Sequence, residues 1–300
     1  MVYILHNPLS GGANFEEAEG KIKEQAELEG QTFEVKDITK IEDMVGFFKG
    51  LAEDDRVVIL GGDGTLNHLA NDIRGYQPKN PLYVYSGGTG NDYIRDIRKE
   101  GEEEKCLFQI NEDIINLPVV VIDGKAYSFL NNVSYGLDGE VCVVGEDQKA
   151  AGAEKVNYTS IAIKLLMTYK TCGAHIKVDG QEFDFKKVWI APVMNGRFCG
   201  GGMMVSPKQD RKTGNISTTV FFGSGRIRTL MIFPKIFTGE HVNYKKFIRE
   251  MEGQEIEVTM EVPKHVHIDG EVVRDVKSMI AYKGEKAHAY DKYTPDGEVK

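Results

Sequence analysis

The feature that most constrains this chain is a strand that ends in a glycine turn and continues as a helix, within residues 56–71. The apolar run 57–60 stops at Gly61-Gly62-Asp63-Gly64-Thr65, and a helical pattern follows. This geometry brings backbone N–H groups and a helix N-terminus toward one anion, and glycine lets a phosphate approach the backbone closely. A carboxylate beside phosphates needs a cation between them. Asp63 therefore favours a site for a magnesium nucleotide over a plain glycine turn.

Two further strand patterns also end in glycine loops. Residues 2–5 lead into a loop at residues 6–12, and residues 81–85 lead into a loop at residues 86–92. Helical patterns lie between these strands, so strands and helices alternate in the first third of the chain. This order predicts a doubly wound parallel sheet with ligands at the carboxyl ends of its strands.

From residue 119 the pattern changes to closely spaced strands with Asp-Gly turns at residues 123, 179 and 269. Such spacing predicts hairpins in a second, β-rich sandwich-like domain, with one strand running from residue 127 to residue 133. Two apolar helical segments, 156–169 and 227–237, interrupt the strands. Packing in the core is the favoured interpretation of these helices, and a lipid entrance or a membrane surface is the alternative. Basic residues lie near both, namely Lys155, Lys164, Lys170, Arg226, Arg228 and Lys235.

Composition excludes several classes of function. The net charge of −9 disfavours broad nucleic-acid binding, which needs a basic face. Scattered cysteines without a C-x-x-C pair predict free thiols in a reducing compartment. There is no signal-peptide pattern, and no apolar run approaches the roughly 20 residues that span a bilayer. We therefore expect a cytoplasmic protein with transient, peripheral membrane contact at most. The sequence leaves a homodimer open.

With these motifs placed, the chain resembles the soluble diacylglycerol kinase family of bacterial lipid kinases. The resemblance covers nearly the whole chain. Its motifs occur in the family's order: Asn7-Pro8-Leu9-Ser10-Gly11, Gly61-Gly62-Asp63-Gly64-Thr65-Leu66-Asn67, Gly88-Thr89-Gly90-Asn91-Asp92-Tyr93-Ile94-Arg95, Phe129-Leu130-Asn131, Gly200-Gly201-Gly202-Met203 and Ile268-Asp269-Gly270-Glu271. The Gly-Gly-Asp-Gly-Thr loop is similar to one in NAD kinases and phosphofructokinases. The third motif and the late Asp-Gly-Glu make the resemblance specific.

The resemblance implies a phosphofructokinase-like α/β domain at residues 1–116, which about residues 283–300 rejoin, and a β-rich lipid-acceptor domain at residues 117–282. ATP and Mg²⁺ are expected in the cleft between the domains. The residues expected to contact ATP are Asn7, Ser10, Gly11, Gly12, Gly61, Gly62, Gly64, Thr65, Asn67, Thr89 and Asn91.

The resemblance also implies how the carboxylates act. Asp63 is expected to hold catalytic Mg²⁺ through water with Asp92 in the same network. Asp92 also suits a helix N-cap, a role that is compatible with the metal network, and the metal network is favoured. Glu271 is expected to be the general base that takes the proton of a lipid hydroxyl. Without the resemblance, residues 269–271 would be interpreted as a hairpin turn with an exposed acid. A kinase for a soluble acceptor such as NAD and a non-catalytic nucleotide- or lipid-binding regulator are the alternative functions.

Two positions depart from the pattern that the resemblance implies. Asn116 stands where the family often has an Asp that supports the Mg²⁺ network. Thr213 stands where an Asp of a structural metal site is usual, next to Arg211 and Lys212. Because hard cations need several oxygen ligands, we expect this structural site to be weak or absent, with Asp210 as its one candidate ligand.

Overall fold

The computed structural model describes residues 1–8, 15–86, 91–153 and 156–291. In the first part of the chain, strands alternate with helices. The strands are β1 (Val2–His6), β2 (Phe33–Asp37), β3 (Arg56–Leu60), β4 (Leu82–Tyr85) and β5 (Leu107–Gln109). The helices are α1 (Phe15–Leu28), α2 (Met44–Lys49), α3 (Asp63–Asp72), α4 (Asp92–Ile97) and α5 (Asn111–Ile115). The sheet has the order β2–β1–β3–β4–β5 and is parallel except for β5.

Helices cover both faces of this first sheet. Successive residues of a strand point to opposite sides, so each strand packs against both helical layers. Ile4 packs with Ile22 of α1 on one side, whereas Leu5 packs with Leu66 of α3 on the other. A parallel strand that is buried on both faces needs a continuous apolar run, which accounts for residues 57–60. The predicted doubly wound sheet is confirmed.

The second part of the chain forms a mostly antiparallel sheet with a helical layer. Its strands are β6 (Val119–Ile122), β7 (Lys125–Ser128), β8 (Asn132–Gly136), β9 (Cys172–Val178), β10 (Gln181–Met194), β11 (Phe198–Cys199), β12 (Met203–Met204), β13 (Ile216–Phe222), β14 (Ile248–Gly253), β15 (Glu255–Ile268) and β16 (Glu271–Tyr282). Its helices are α6 (Leu137–Ala150), α7 (Tyr158–Thr168), α8 (Arg226–Ile232) and α9 (Glu285–His288), and 3₁₀ segments span Phe233–Thr238 and Glu240–Asn243. A further 3₁₀ segment, Ile38–Lys40, follows β2.

The long strands β10 and β15 shape this second domain. Each pairs with β9 through its first half and with β8 through its second half. The sheet therefore folds around an apolar interior that includes Tyr135, Ile176, Val188 and Val266. The rest of the sheet follows the order β14–β13–β10–β8–β15–β16–β6–β7. The prediction of a β-rich second domain is confirmed.

The three predicted Asp-Gly turns join β6 to β7, β9 to β10 and β15 to β16. Their aspartates have φ values of 50°, 45° and 47°, and a glycine with positive φ follows each. Two successive residues with positive φ match the twist of paired strands, which is why Asp-Gly is favoured there.

The prediction of one strand over residues 127–133 is wrong. β7 ends at Ser128 and β8 begins at Asn132. The intervening backbone N–H groups turn toward the carboxylate of Asp269 instead of a neighbouring strand. Helix α6 was not predicted, because glycines interrupt its apolar pattern at residues 139 and 145.

The helical predictions for residues 156–169 and 227–237 are confirmed by α7 and by α8 with its 3₁₀ extension. These elements pack against the β-rich domain around Trp189 and Phe221, and that side of them is core, as the favoured interpretation requires. Within the described ranges, no helix is long and apolar enough to cross a membrane. The cysteine thiols are free, as predicted.

Candidate active site

The glycine turn follows β3 and leads directly into α3, as predicted. Gly61 is required by packing, since a Cβ there would lie 2.5 Å from the side chain of Thr65. Thr65 Oγ1 accepts a hydrogen bond of 2.8 Å from Asn7 Nδ2. The loops after β1 and β3 therefore contact each other, and three of the residues predicted to contact ATP meet there.

Other predicted ATP contacts are only partly described. Ser10, Gly11, Gly12 and Thr89 lie outside the described residues. Asn91 is the N-cap residue of α4, and its carbonyl accepts the first backbone hydrogen bond of that helix, from Arg95 at 2.9 Å.

Asp63 is the first residue of α3 and faces the start of α4. Its carboxylate accepts hydrogen bonds from the backbone N–H of Asp92 at 2.8 Å and of Tyr93 at 3.4 Å. Burial raises the pKa of Asp63 to about 7, and the carboxylate of Asp92 contributes to the rise. The two aspartates predicted to act on Mg²⁺ are therefore electrostatically coupled.

The two carboxylates of Asp63 and Asp92 suit Mg²⁺, which can take its other ligands from water and substrate, better than a cation whose ligands all come from the protein. Mg²⁺ usually takes one or two carboxylates and completes its shell with water and substrate phosphates. Across the part of the chain that the structure describes, no group of three or more His, Cys, Asp or Glu side chains could hold a metal. Asp63 and Asp92 are the two carboxylates of this site that could hold a cation together with a bound nucleotide.

Asp92 links the two domains. Its carboxylate accepts hydrogen bonds from the backbone N–H of Gly201 at 2.7 Å and from Arg95 Nη1 at 3.2 Å. Gly201 has a φ of 83°, a conformation that favours glycine and turns its N–H toward Asp92. The N-cap interpretation of Asp92 is wrong, because Asn91 occupies the N-cap position.

The tip of the β15–β16 hairpin lies on α3. Asn67 Nδ2 donates a hydrogen bond of 2.6 Å to Asp269, which also accepts the backbone N–H groups of Leu130, Asn131 and Asn132. Burial raises the pKa of Asp269, and the donated hydrogen bonds oppose that rise. Asn67, a predicted ATP contact, therefore has its side-chain amide engaged between the domains.

Glu271 lies one residue beyond the hairpin turn and beside α3. Its Oε1 lies 3.7 Å from Nε2 of His68, and the two side chains are 67% and 68% exposed. This contact lowers the pKa of Glu271 and raises the pKa of His68. Residues 269–271 form a hairpin turn with an exposed acid, which lies at the helix that follows the glycine loop. The role of Glu271 as a general base stays a prediction. His68 was missed at the sequence level.

A buried ion-pair cluster holds α4 against the second domain. Asp96 accepts hydrogen bonds from Arg197 Nε at 2.7 Å and from Arg211 Nε at 2.6 Å. The guanidinium of Arg211 also lies 4.6 Å from the ring centroid of Tyr93. These arginines are 101 and 115 positions from Asp96, so no local pattern could have revealed the cluster.

A buried lysine lies against the loop of the candidate structural metal. Lys283 Nζ donates hydrogen bonds of 2.6 Å to Asn195 Oδ1 and to the carbonyl of Arg211. Burial lowers the pKa of Lys283 to about 8. Asp210 is exposed, and its carboxylate accepts a hydrogen bond of 2.9 Å from the backbone N–H of Lys212. A positive charge of the chain itself thus lies beside this loop.

Asn116 lies at the edge of the same region. It lines a cavity of about 270 Å³ together with Thr213 and Lys283. Its Nδ2 donates a hydrogen bond of 2.8 Å to the carbonyl of Glu112, one turn earlier. This side chain is engaged at the end of α5.

A glycine turn at the edge of a parallel sheet thus meets an acidic hairpin from a β-rich domain. The comparisons with known proteins assign a chain of this architecture to the kinases. The family model of the diacylglycerol kinase catalytic domain matches residues 1–122. The model of the YegS C-terminal NAD kinase beta sandwich-like domain matches residues 131–283. The chain belongs to the diacylglycerol-kinase-like family of lipid kinases.

Named relatives agree with this family. A protein of Staphylococcus aureus strain JH9, whose name describes a candidate lipid kinase, is 24% identical over 225 residues, covering 75% of this chain and 73% of the relative. Two structures from Bacillus anthracis strain Sterne each cover 96% of this chain and 94% of their own. One, titled as a candidate diacylglycerol kinase, has a TM-score of 0.66 at 20% identity. The other, titled as a diacylglycerol kinase, has a TM-score of 0.61 at 18% identity. At such identities they show a shared fold.

Proposed function

We propose that this protein is an ATP- and Mg²⁺-dependent kinase that transfers the γ-phosphate to the hydroxyl of diacylglycerol or a related lipid. One observation carries the proposal, namely the contact of the β15–β16 hairpin with α3. There Asp269 meets Asn67, and Glu271 meets His68. This contact supports a reaction in which one domain binds the phosphates and the other supplies the base.

In the proposed site, the phosphates of ATP lie at the glycine turn and the N-terminus of α3, where backbone N–H groups favour anions. Asp63 and Asp92 are the residues that would hold Mg²⁺ there. When bound, Mg²⁺ supplies positive charge that stabilises the phosphoryl group during transfer. The contact between Thr65 and Asn7 keeps the two loops of the phosphate site together.

Glu271 accepts the proton of the lipid hydroxyl in this proposal. The bond between the hydroxyl oxygen and the γ-phosphorus forms while the bond from the γ-phosphorus to the bridging oxygen breaks, and ADP leaves. Because Glu271 is 67% exposed, an incoming hydroxyl can reach it. The carboxylate of Glu271 is ionised at neutral pH, since its pKa lies below the ordinary value beside His68. The contact places the carboxylate at α3, and the lowered pKa weakens it as a base until the lipid displaces His68.

The test is transfer of label from γ-phosphate-labelled ATP into diacylglycerol presented in detergent micelles. We expect Glu271→Gln to lower kcat by roughly 100-fold or more, the usual contribution of a general base. The matched control is Glu182→Gln. Glu182 also follows an Asp-Gly turn, is 60% exposed and lies 3.9 Å from the ring of His175. Wild-type turnover by Glu271→Gln would contradict the assignment of the base.

The same labelled ATP, offered with a panel of soluble acceptors that includes NAD, separates the alternatives. Turnover of a soluble acceptor without turnover of lipid would contradict the proposal and favour a kinase of the NAD type. Nucleotide binding by calorimetry without turnover on either panel would favour a non-catalytic regulator.

A further inference from the structure

The loop between β12 and β13, residues 205–215, is where the resemblance implies a structural metal. Its carbonyl oxygens accept hydrogen bonds from side chains of the same loop. Gln209 Nε2 donates a hydrogen bond of 3.0 Å to the carbonyl of Asn215. Thr213 Oγ1 donates one of 2.8 Å to the carbonyl of Asp210. A hard cation would need such oxygens as its ligands, and here donors of the chain occupy them.

The carboxylates of this loop do not form a ligand set for a metal either. Asp210 is the one acidic residue among residues 205–215, and the basic Arg211 and Lys212 follow it. Its side chain is exposed and accepts a hydrogen bond of 2.9 Å from the backbone N–H of Lys212. The residues present therefore do not fit the structural metal that the resemblance implies.

Lys283 brings a cation of the chain itself to this loop. Its ammonium donates hydrogen bonds of 2.6 Å to Asn195 Oδ1 and to the carbonyl of Arg211. The contact lies in the interior, since Lys283 is 3% exposed and Asn195 is 2% exposed. An ammonium has three N–H donors and no acceptor, so it gathers oxygen atoms around a positive charge as a metal ion does.

The surroundings of Lys283 keep it charged. Burial and the charge of Arg211 lower its pKa to about 8. Three carboxylates oppose this fall, namely those of Asp113, Asp210 and Asp96. The side chain is therefore mostly protonated at neutral pH, and acidic groups of both domains balance its charge.

The contact reaches the first domain through Arg211. Lys283 binds the backbone carbonyl of this arginine, and the guanidinium of the same residue donates a hydrogen bond of 2.6 Å to Asp96 of α4. Helix α4 begins at Asp92, one of the candidate ligands of Mg²⁺. A cation at Lys283 thus supports the loop on one side and the ion pair of α4 on the other.

We propose that the ammonium of Lys283 takes the role of a structural metal and makes the loop at residues 205–215 independent of divalent ions. A cation that is part of the chain cannot dissociate, so its contribution does not depend on an ion concentration. This inference concerns the second domain and does not rest on the proposed function.

The first test follows the Tm of the full chain at pH 7 after divalent ions have been removed with EDTA. We expect added Mg²⁺, Ca²⁺ or Mn²⁺ to shift the Tm by less than about 1 °C, because a ligand raises the Tm only when it binds the folded state. Asp63→Asn is measured beside the wild type, since Asp63 is a candidate ligand of Mg²⁺. A shift that Asp63→Asn abolishes belongs to the candidate active site and agrees with the proposal.

The second test removes the internal cation. Lys283→Ala leaves the oxygens of Asn195 and Arg211 without this donor and should lower the Tm by about 5 °C. The emptied space adjoins the cavity of about 270 Å³ that Lys283 lines, so a small cation can reach it. Methylammonium chloride should raise the Tm of this variant about 2 °C more than sodium chloride does at equal ionic strength. The matched control Lys283→Met fills the space without a charge and should respond equally to both salts.

The third test converts the loop into a metal site. Thr213→Asp with Lys283→Ala adds a second carboxylate beside Asp210 and frees the oxygens that the ammonium held. We expect Ca²⁺ to raise the Tm of this double variant by about 3 °C and EDTA to reverse the rise. Thr213→Asp alone keeps the ammonium and should show no response to Ca²⁺.

Two results would overturn the proposal. One is a divalent-ion shift of the wild-type Tm that persists in Asp63→Asn. The other is an equal response of Lys283→Ala to methylammonium and to sodium, which would leave Lys283 an ordinary hydrogen-bond donor. If Lys283→Ala does not fold, the wild type and Thr213→Asp alone still decide whether the loop responds to divalent ions.

Discussion

Asp269→Asn tests the junction between the domains with the smallest change in shape. The carboxylate of Asp269 accepts hydrogen bonds at both oxygens, from Leu130 and Asn67 at Oδ2 and from Asn131 and Asn132 at Oδ1. An amide in its place keeps one accepting oxygen and presents an NH₂ group to the other pair of donors. Two hydrogen bonds are therefore lost, and donor faces donor.

The expected loss of stability follows from these hydrogen bonds. A hydrogen bond to a charged group contributes about 1.5–3 kcal/mol, so the loss of two costs about 3–6 kcal/mol. Removing a buried charge returns part of this cost, since burial raises the pKa of Asp269. We expect a net loss of about 3 kcal/mol in the free energy of unfolding, or about 5–10 °C in Tm.

Urea denaturation followed by circular dichroism measures this loss, and Asp123→Asn is the matched control. Asp123 occupies the same turn position, with a φ of 50° against 47° for Asp269, but it is exposed. We expect the control to stay within about 0.5 kcal/mol of the wild type. Equal stability of Asp269→Asn and the wild type would refute the reasoning. Equal losses in both variants would assign the effect to the turn instead of the junction.

Three further predictions concern the same junction and the glycine turn. Asp96→Ala leaves the buried Arg211 and the partly exposed Arg197 without their carboxylate partner and should cost about 3 kcal/mol in urea denaturation. Burial lowers the pKa of Lys283 to about 8 in the folded protein, whereas the unfolded chain keeps the ordinary, higher pKa and binds the proton more tightly. The contribution of Lys283 to the free energy of unfolding should therefore rise as the pH increases from about 8 toward that ordinary pKa. The wild type should thus gain about 2 kcal/mol over Lys283→Met between roughly pH 7.5 and 9.5, and a constant difference would contradict the burial argument. Gly61→Ala places a methyl group on Thr65 and should cost about 1–3 kcal/mol, whereas Gly64→Ala, with open space around it, should be nearly neutral in thermal unfolding.

Sequence patterns determined the local elements of this protein. The apolar run 57–60 and the glycines after it predicted a buried strand, a turn and a helix, and β3 and α3 bear this out. The Asp-Gly pairs predicted the hairpins for a similarly local reason, since two positive φ angles are a property of two adjacent residues. Strand and helix boundaries shifted by a few residues because neighbouring elements decide where pairing ends.

The tertiary structure alone decided which of these elements meet. Asn67 and Asp269 are 202 positions apart, and Asp96 and Arg211 are 115 apart, so their contacts depend on how the two domains pack. The division of residues 127–133 has the same origin, because the carboxylate of Asp269 competes for backbone N–H groups that a strand would otherwise use. Local sterics and burial select strands, turns and helices, whereas the pairing of distant charges and hydrogen-bond donors exists only after both domains have folded against each other.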